Sequence, residues 1–308
     1  MVSGPELRFR SCRGWRARLP VLRLRDHRHS RSWRARDHDV RGQWPAQKTP
    51  LNPSDSIANV PVTLHNGDCL EVLQQLEPLE VDLVYMDPPF GVGRRMAGRD
   101  GTRFDDLLED PADYMAFMRP RLESVLRHLH EDGIILLHCD WRQVHHLRLA
   151  LDELMGRDAF VNQLVWRYGL GGSSPRRFAR KHDDILFYAR SQSYHFKPPL
   201  VPATSQRLKG QMKKATDVLD IPAINNMAHE RTGWPTQKPI ALLKLLIEAC
   251  CPESGHVLDP FCGSGTTLVA AADTGRNATG IDLSEEALRL TRQRLAECEE
   301  TISKAPSR

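Results

Sequence analysis

Residues 257–282 read V-L-D-P-F-C-G-S-G-T-T-L-V-A-A-A-D-T-G-R-N-A-T-G-I-D, and no other stretch limits the fold so strongly. A short apolar run ends in Asp259, a turn carries Gly263 and Gly265, and good helix formers fill 268–272. Thr266 is of a type that caps such a helix. Gly275 ends it, and 278–281 predicts a second strand with Asp282 at its tip. Glycines at the turn let the backbone approach a ligand where a Cβ would collide. A carboxylate at the tip of the next strand, 23 residues after Asp259, suits the two hydroxyls of a ribose. The unit therefore predicts a nucleoside site. It departs from the dinucleotide fingerprint, because Leu268 stands at the third glycine position, and the lack of G-K-[ST] argues against a P-loop.

Along the chain, strands are predicted at 62–65, 81–86, 133–138, 160–167 and 184–189 from short apolar or β-branched runs. Helices are predicted at 69–76, 113–130, 142–155, 239–250 and 285–300. Residues 91–112, rich in Gly, Arg and Asp, read as a mobile loop; 169–182 read as a second loop; 191–234 read as irregular and basic. Alternation of strands and helices implies an α/β fold with a parallel sheet covered on both faces. At the carboxyl rim of such a sheet, two motifs far apart in sequence can share one cleft.

The second motif is Asp87-Pro88-Pro89-Phe90, which follows the 81–86 strand. Two prolines fix the backbone and remove two donors, leaving carbonyl oxygens and the Asp87 carboxylate as directed acceptors. Phe90 adds a π-face. This suits a planar ring carrying an exocyclic amino group, which stacks on Phe90 and donates to Asp87 and the Pro88 carbonyl.

With 308 residues the chain can bury one sizeable core, and 40% hydrophobic with 27% charged residues is ordinary for a soluble globular protein. No apolar run approaches the roughly 20 residues a membrane span needs. Arginines stand where the apolar part of a signal peptide would be, so no membrane association is expected. The seven cysteines form no C-x-x-C, so neither a metal site nor a disulfide framework is expected, and a reducing cytoplasm is. The net charge of +4 conceals +9 in residues 1–50 and −5 in the rest. Residues 1–58 show no period and several prolines; they are expected to be a disordered Arg-rich tail, either a basic arm for phosphates or an extension the fold does not need. Residues 301–308 are expected to be a short disordered end.

From about Val60 to Leu295 the sequence resembles the DNA amino-methyltransferases that use S-adenosylmethionine, in the circularly permuted beta group whose catalytic motif precedes the cofactor motif. The resemblance is carried by D-P-P-F at 87–90, L-D-P-F-C-G-S-G-T-T at 258–267 and T-Q-K-P at 236–239. H-C-D-W at 138–141, F-V-N-Q-L-V-W at 160–166 and K-H-D-D-I-L-F-Y at 181–188 add to it. It implies a Rossmann-like, seven-stranded, mostly parallel sheet in a catalytic domain over 59–300, with 169–234 as an inserted target-recognition region. It implies that Asp87, Pro88, Pro89 and Phe90 are catalytic, and that Asp259, Phe261, Gly263 and Gly265 form the cofactor loop. Asp282 would hold the ribose, Asp68 the adenine end and Lys238 the methionine carboxylate. Phe90 stands where the family more often has Tyr; stacking survives the lost hydroxyl.

An Asp at the first motif position resembles enzymes acting on the adenine amino group, whereas those acting on cytosine more often begin with Ser. The expected activity is therefore adenine-N6 methylation of flipped-out bases in double-stranded DNA. Cytosine-N4 methylation, RNA methylation and an inactive DNA-binding relative are the rivals. Arg176, Arg177, Arg180, Lys181, Lys213 and Lys214 can meet phosphates, which position without specifying sequence. A homodimer is implied by the resemblance alone.

Overall fold

From Leu83 to Met86 the run V-D-L-V-Y-M at 81–86 alternates between two apolar environments, and that alternation sets the layers of the fold. Leu83 and Tyr85 enter one buried cluster, Val84 and Met86 the other. Ile134 and Leu136 side with the first pair, Ile135 and Leu137 with the second. A strand buried on both faces must be central, with helices above and below.

The computed structural model describes residues 60–97, 103–106, 108–169, 172–203, 207, 210–225 and 228–303. The expected tail at 1–58 lies outside them, as do 304–308. The first half runs β1 (Val62–Asn66), α1 (Cys69–Gln75), β2 (Val81–Met86), β3 (Arg94–Ala97), β4 (Arg103–Asp106), α2 (Pro111–His128), β5 (Leu129–Cys139) and α3 (Val144–Met155). Then come β6 (Phe160–Arg167), β7 (His182–Ala189), β8 (Leu200–Pro202), β9 (Met212–Lys214) and β10 (Val218–Leu219). The chain closes with α4 (Ile240–Cys250), β11 (His256–Asp259), α5 (Thr266–Asp273), β12 (Asn277–Asp282) and α6 (Glu285–Ser303).

The main sheet has the order β1-β12-β11-β2-β5-β7-β6-β10, with β7 antiparallel to both neighbours and every other pairing parallel. Seven strands have four or more residues, as expected; the two-residue β10, beside β6, makes an eighth. Side chains of α1, α2 and α3 pack on one face, and those of α4, α5 and α6 on the other. β2 and β11 lie side by side, Val257 against Leu83 and Leu258 against Val84. Their carboxyl ends therefore share a rim, which brings Asp87 and Asp259 together.

Several expectations change. Residues 91–112 contain the antiparallel β3–β4 hairpin rather than a loop throughout, with Arg94 opposite Asp106. The basic stretch 191–234 holds a second hairpin, β8–β9, and β10. α6 runs to Ser303, three residues past the expected end. Thr266 is the first residue of α5 rather than its cap; Gly265 takes the cap position in left-handed conformation, with no side-chain cap bond.

Candidate active site

The rim of β2, β11 and β12 opens into a cavity of about 480 Å³, within the usual range for small-ligand sites. Asp68, Asp87, Pro89, Lys238, Asp259, Phe261, Gly263 and Asp282 line it. Pro88, Phe90 and Gly265 do not.

Asp87 leaves the tip of β2 and forms an ion pair with Lys238, both side chains largely buried. Lys238 arrives because its segment is tied down. Gln237 Oε1 accepts from Thr232 N at 2.8 Å and from Thr232 Oγ1 at 2.9 Å, and Gln237 Nε2 donates to Glu230 O at 2.6 Å. Glu230 Oε2 then accepts from Ile240 N at 3.0 Å, satisfying an orphan donor at the start of α4. Lys238 Nζ also lies 5.3 Å from the Phe90 ring centroid.

The D-P-P-F tip is braced by a residue absent from the sequence expectations. Asp106, buried at the end of β4, accepts from Phe90 N at 3.0 Å and Val92 N at 3.1 Å. Burial raises its carboxyl pKa, against the pull of those backbone donors. Behind Phe90 lies His138, at 5.7 Å between ring centroids, and His138 meets Trp166 edge-on at 5.5 Å. His138 is wholly buried; Nδ1 is 2.7 Å from the Tyr85 hydroxyl and Nε2 3.4 Å from Asp183 Oδ2. Asp183 is placed to accept the Nε2 proton, and that contact helps set the ring's orientation.

On the cofactor-loop side, Asp259 Oδ1 accepts from Phe261 N at 3.0 Å. Burial raises its carboxyl to about 7, and the nearby charges of Asp87 and Asp282 add to the rise. Asp282 accepts from Gly263 N and Ser284 N, each at 2.8 Å. Two backbone bonds leave a carboxylate with capacity for two more donors, as a pair of ribose hydroxyls needs. Asp68 caps α1 through Leu70 N at 2.8 Å, and its other oxygen pairs with Arg121 of α2. Arg121 also lies over the Phe117 ring, and Phe117 faces Phe261 at 6.4 Å. Arg121, Phe117 and Trp234 line the cavity but were not singled out from sequence.

The two loop glycines have different neighbours. A Cβ on Gly263 would sit 3.1 Å from Trp234 Nε1, at the cavity wall. A Cβ on Gly265 would sit 2.4 Å from Thr291 Cγ2 of α6. Gly265 is thus required by helix packing and its positive φ rather than by approach to a ligand.

Five acidic side chains (Asp68, Asp87, Asp106, Asp259, Asp282) and two cations (Arg121, Lys238) line the cavity, an excess of acceptors suited to a cationic ligand. Phe117, Phe261 and Trp234 add apolar surface. Such a cavity, at the carboxyl rim of an α/β sheet and beside a D-P-P-F tip, has the size and charge for a small cationic ligand. Residues 81–293 match the family model described as DNA methylase, the N6/N4 methyltransferases, and the chain belongs to that family. S-adenosylmethionine is its methyl donor. Among curated proteins it is 29% identical over 255 residues to the type II methyltransferase M.ScaI of Streptomyces caespitosus, covering 76% of this chain and 81% of that one. It is 26% identical over 262 residues to the DNA adenine methyltransferase YhdJ of Escherichia coli, covering 78% and 84%. Among solved structures, PvuII DNA methyltransferase (cytosine-N4-specific) superposes with a TM-score of 0.57 at 15% identity, over 79% of this chain and 92% of that one; at that identity the match speaks for the fold alone.

Proposed function

We propose that the protein methylates the N6 amino group of adenine in double-stranded DNA. The observation that carries this is Asp87, held by Lys238 at the rim of the cavity and one turn of chain from Phe90. S-adenosylmethionine supplies a methyl group made electrophilic by its sulfonium. Its fit is supported by the excess of carboxylates, by the capacity left on Asp282, and by Lys238 as a counter-charge for a carboxylate. In this reading Asp68 and Asp282 hold the nucleoside end, and Phe261 and Gly263 form the wall.

A paired base cannot reach the cavity, so the target is extruded from the duplex. Phe90 replaces part of the lost stacking. Asp87 and the Pro88 carbonyl accept the amino hydrogens, which directs the nitrogen lone pair toward the methyl group. As the C–N bond forms the C–S bond breaks, and the nitrogen becomes cationic. Asp87 need not be a strong base, because it accepts a proton only from that cationic nitrogen. The work of the protein is alignment and electrostatics.

Adenine is favoured over cytosine by the Asp at the head of the motif and by the likeness to YhdJ along most of both chains. Residues 169–234 are the proposed recognition region, and the proposed homodimer would enlarge its surface; size-exclusion chromatography tests the latter. As a DNA-modifying enzyme it is proposed to work in the cytoplasm, on the nucleoid.

The test is incubation with methyl-labelled S-adenosylmethionine and mixed-sequence duplex DNA, followed by nucleoside mass spectrometry. N6-methyladenine is expected. N4-methylcytosine would overturn the choice of base, and label in RNA alone would overturn the substrate. Asp87→Ala is expected to abolish transfer and, by leaving the largely buried Lys238 without its ion pair, to lower the melting temperature; circular dichroism at the assay temperature checks that the variant is folded, and turnover in it would remove Asp87 from the mechanism.

A further inference from the structure

Phe178 is 97% exposed, the most exposed large apolar side chain among the described residues. Single exposed apolar residues are common on protein surfaces. This one is set apart by its neighbours and by where its loop is rooted. It stands in R-R-F-A-R-K at 176–181, directly after two arginines.

The loop leaves the catalytic rim. β2, β5 and β6 run in one direction, and Arg167 at the end of β6 pairs with His182 at the start of β7. The 168–181 connection therefore emerges from the same edge as Asp87. Its root is closed by Tyr168 N donating to Lys181 O at 3.1 Å. Arg180 lies 3.6 Å over the Trp141 ring, just beyond the end of β5. Rings connect that root to the target platform: Tyr168 meets Trp166 at 5.1 Å, Trp166 meets His138 at 5.5 Å, and His138 meets Phe90 at 5.7 Å. The arrangement holds a bare phenyl ring beyond a firmly anchored base, with Arg176 and Arg177 beside it for phosphates.

We propose that Phe178 is the wedge that enters the duplex and fills the gap left by the extruded target base. Extrusion costs the stacking of the target and of its neighbours, and an inserted apolar ring recovers part of it. The arginines bring the loop onto the backbone without reading sequence. This inference rests on the reading of duplex DNA as substrate. It concerns the vacated space in the duplex, whereas Phe90 concerns the extruded base itself.

The experiment uses the full chain and a duplex carrying a target site mapped with the parental protein. Phe178→Ala is expected to lower kcat/KM on that duplex about tenfold to hundredfold, the range of one base–aromatic stack. Phe178→Trp is expected to stay close to the parent. S-adenosylmethionine affinity is expected to be unchanged, because Phe178 does not line the cavity. With the target inside a short unpaired bubble the stack around it is already broken, and Phe178→Ala is expected to recover toward the parental rate. Equal rates of parent and alanine variant on the paired duplex would overturn the wedge. So would a loss of the same size on the bubble substrate. A parental protein that leaves DNA unlabelled overturns the substrate reading as well, whereas a labelled duplex indifferent to Phe178 overturns the wedge alone.

Discussion

Replacing Gly265 with alanine tests what the second loop glycine is for. Its φ of +74° lies in the left-handed region, where a Cβ costs roughly 1–2 kcal/mol. The added methyl would also stand 2.4 Å from Thr291 Cγ2 and 2.5 Å from Thr291 Oγ1, contacts that force α6 to give. Overpacking of this kind costs typically about 1–3 kcal/mol. The sum, roughly 2–5 kcal/mol, is a large part of the ~5–15 kcal/mol that holds a typical domain together. Thr291→Ala removes the two closest of these contacts, leaving only its Cβ at 2.9 Å, but also removes hydroxyl bonds to Gly263 O at 3.1 Å and Ala287 O at 3.0 Å, a loss of about 1 kcal/mol. Urea unfolding of the parent, both single variants and the double variant then forms a cycle. The double variant is expected to be less destabilised than the two singles added together, by about 1–3 kcal/mol. Strict additivity would refute the steric argument. An alanine variant of parental stability that had lost only cofactor affinity would return Gly265 to the ligand.

Two further predictions concern the cavity walls. The folded protein holds a proton on Asp259 up to about pH 7, because of burial and the charges of Asp87 and Asp282, whereas the unfolded chain releases it near pH 4. The contribution of Asp259 to stability is thus full below about pH 4 and is lost as pH rises through about 7. Relative to Asp259→Asn, the parent should lose up to ~1.4 kcal/mol per pH unit between pH 5 and 7 without cofactor; parallel stability curves would contradict this. Arg121→Ala removes both the Asp68 pair and the cover over Phe117, and should cost roughly 1–3 kcal/mol in urea unfolding while weakening S-adenosylmethionine binding in calorimetry. Unchanged affinity would separate Arg121 from the cofactor.

Legibility followed local chemistry. Strand β6 stands where its β-branched and aromatic run indicates, at Phe160–Arg167. The D-P-P-F tip and the Asp259 turn lie together at the rim because parallel order follows from strand–helix alternation. The β3–β4 hairpin was not legible. R-R-M-A and R-F-D-D lack alternating apolar residues, and their pairing depends on partners across the turn. Asp106 was hidden with it, since an acidic residue in a Gly/Asp-rich stretch reads as solvated surface. Arg121 sits in the middle of α2, where a charged residue reads as the wet side of an amphipathic helix, yet it is 8% exposed. At Gly265 the sequence shows a tight turn, but only the position of Thr291 reveals which atoms fill the missing Cβ.

The strand order also governs how the protein is made. β1, the first described strand, pairs only with β12, the last, and the carboxyl-terminal β11 is inserted between β12 and β2. On the ribosome, β2 emerges long before β11 and until then has β5 as its one neighbour, so its other edge of unpaired amides and carbonyls stays open. β1 has no sheet to join for more than two hundred residues of synthesis. Long-range pairing of this kind is slow and exposed to aggregation. Removal of the carboxyl-terminal quarter would therefore do more than erase a cofactor loop: it would leave β1 stranded and turn β2 into the open edge of the strands that remain.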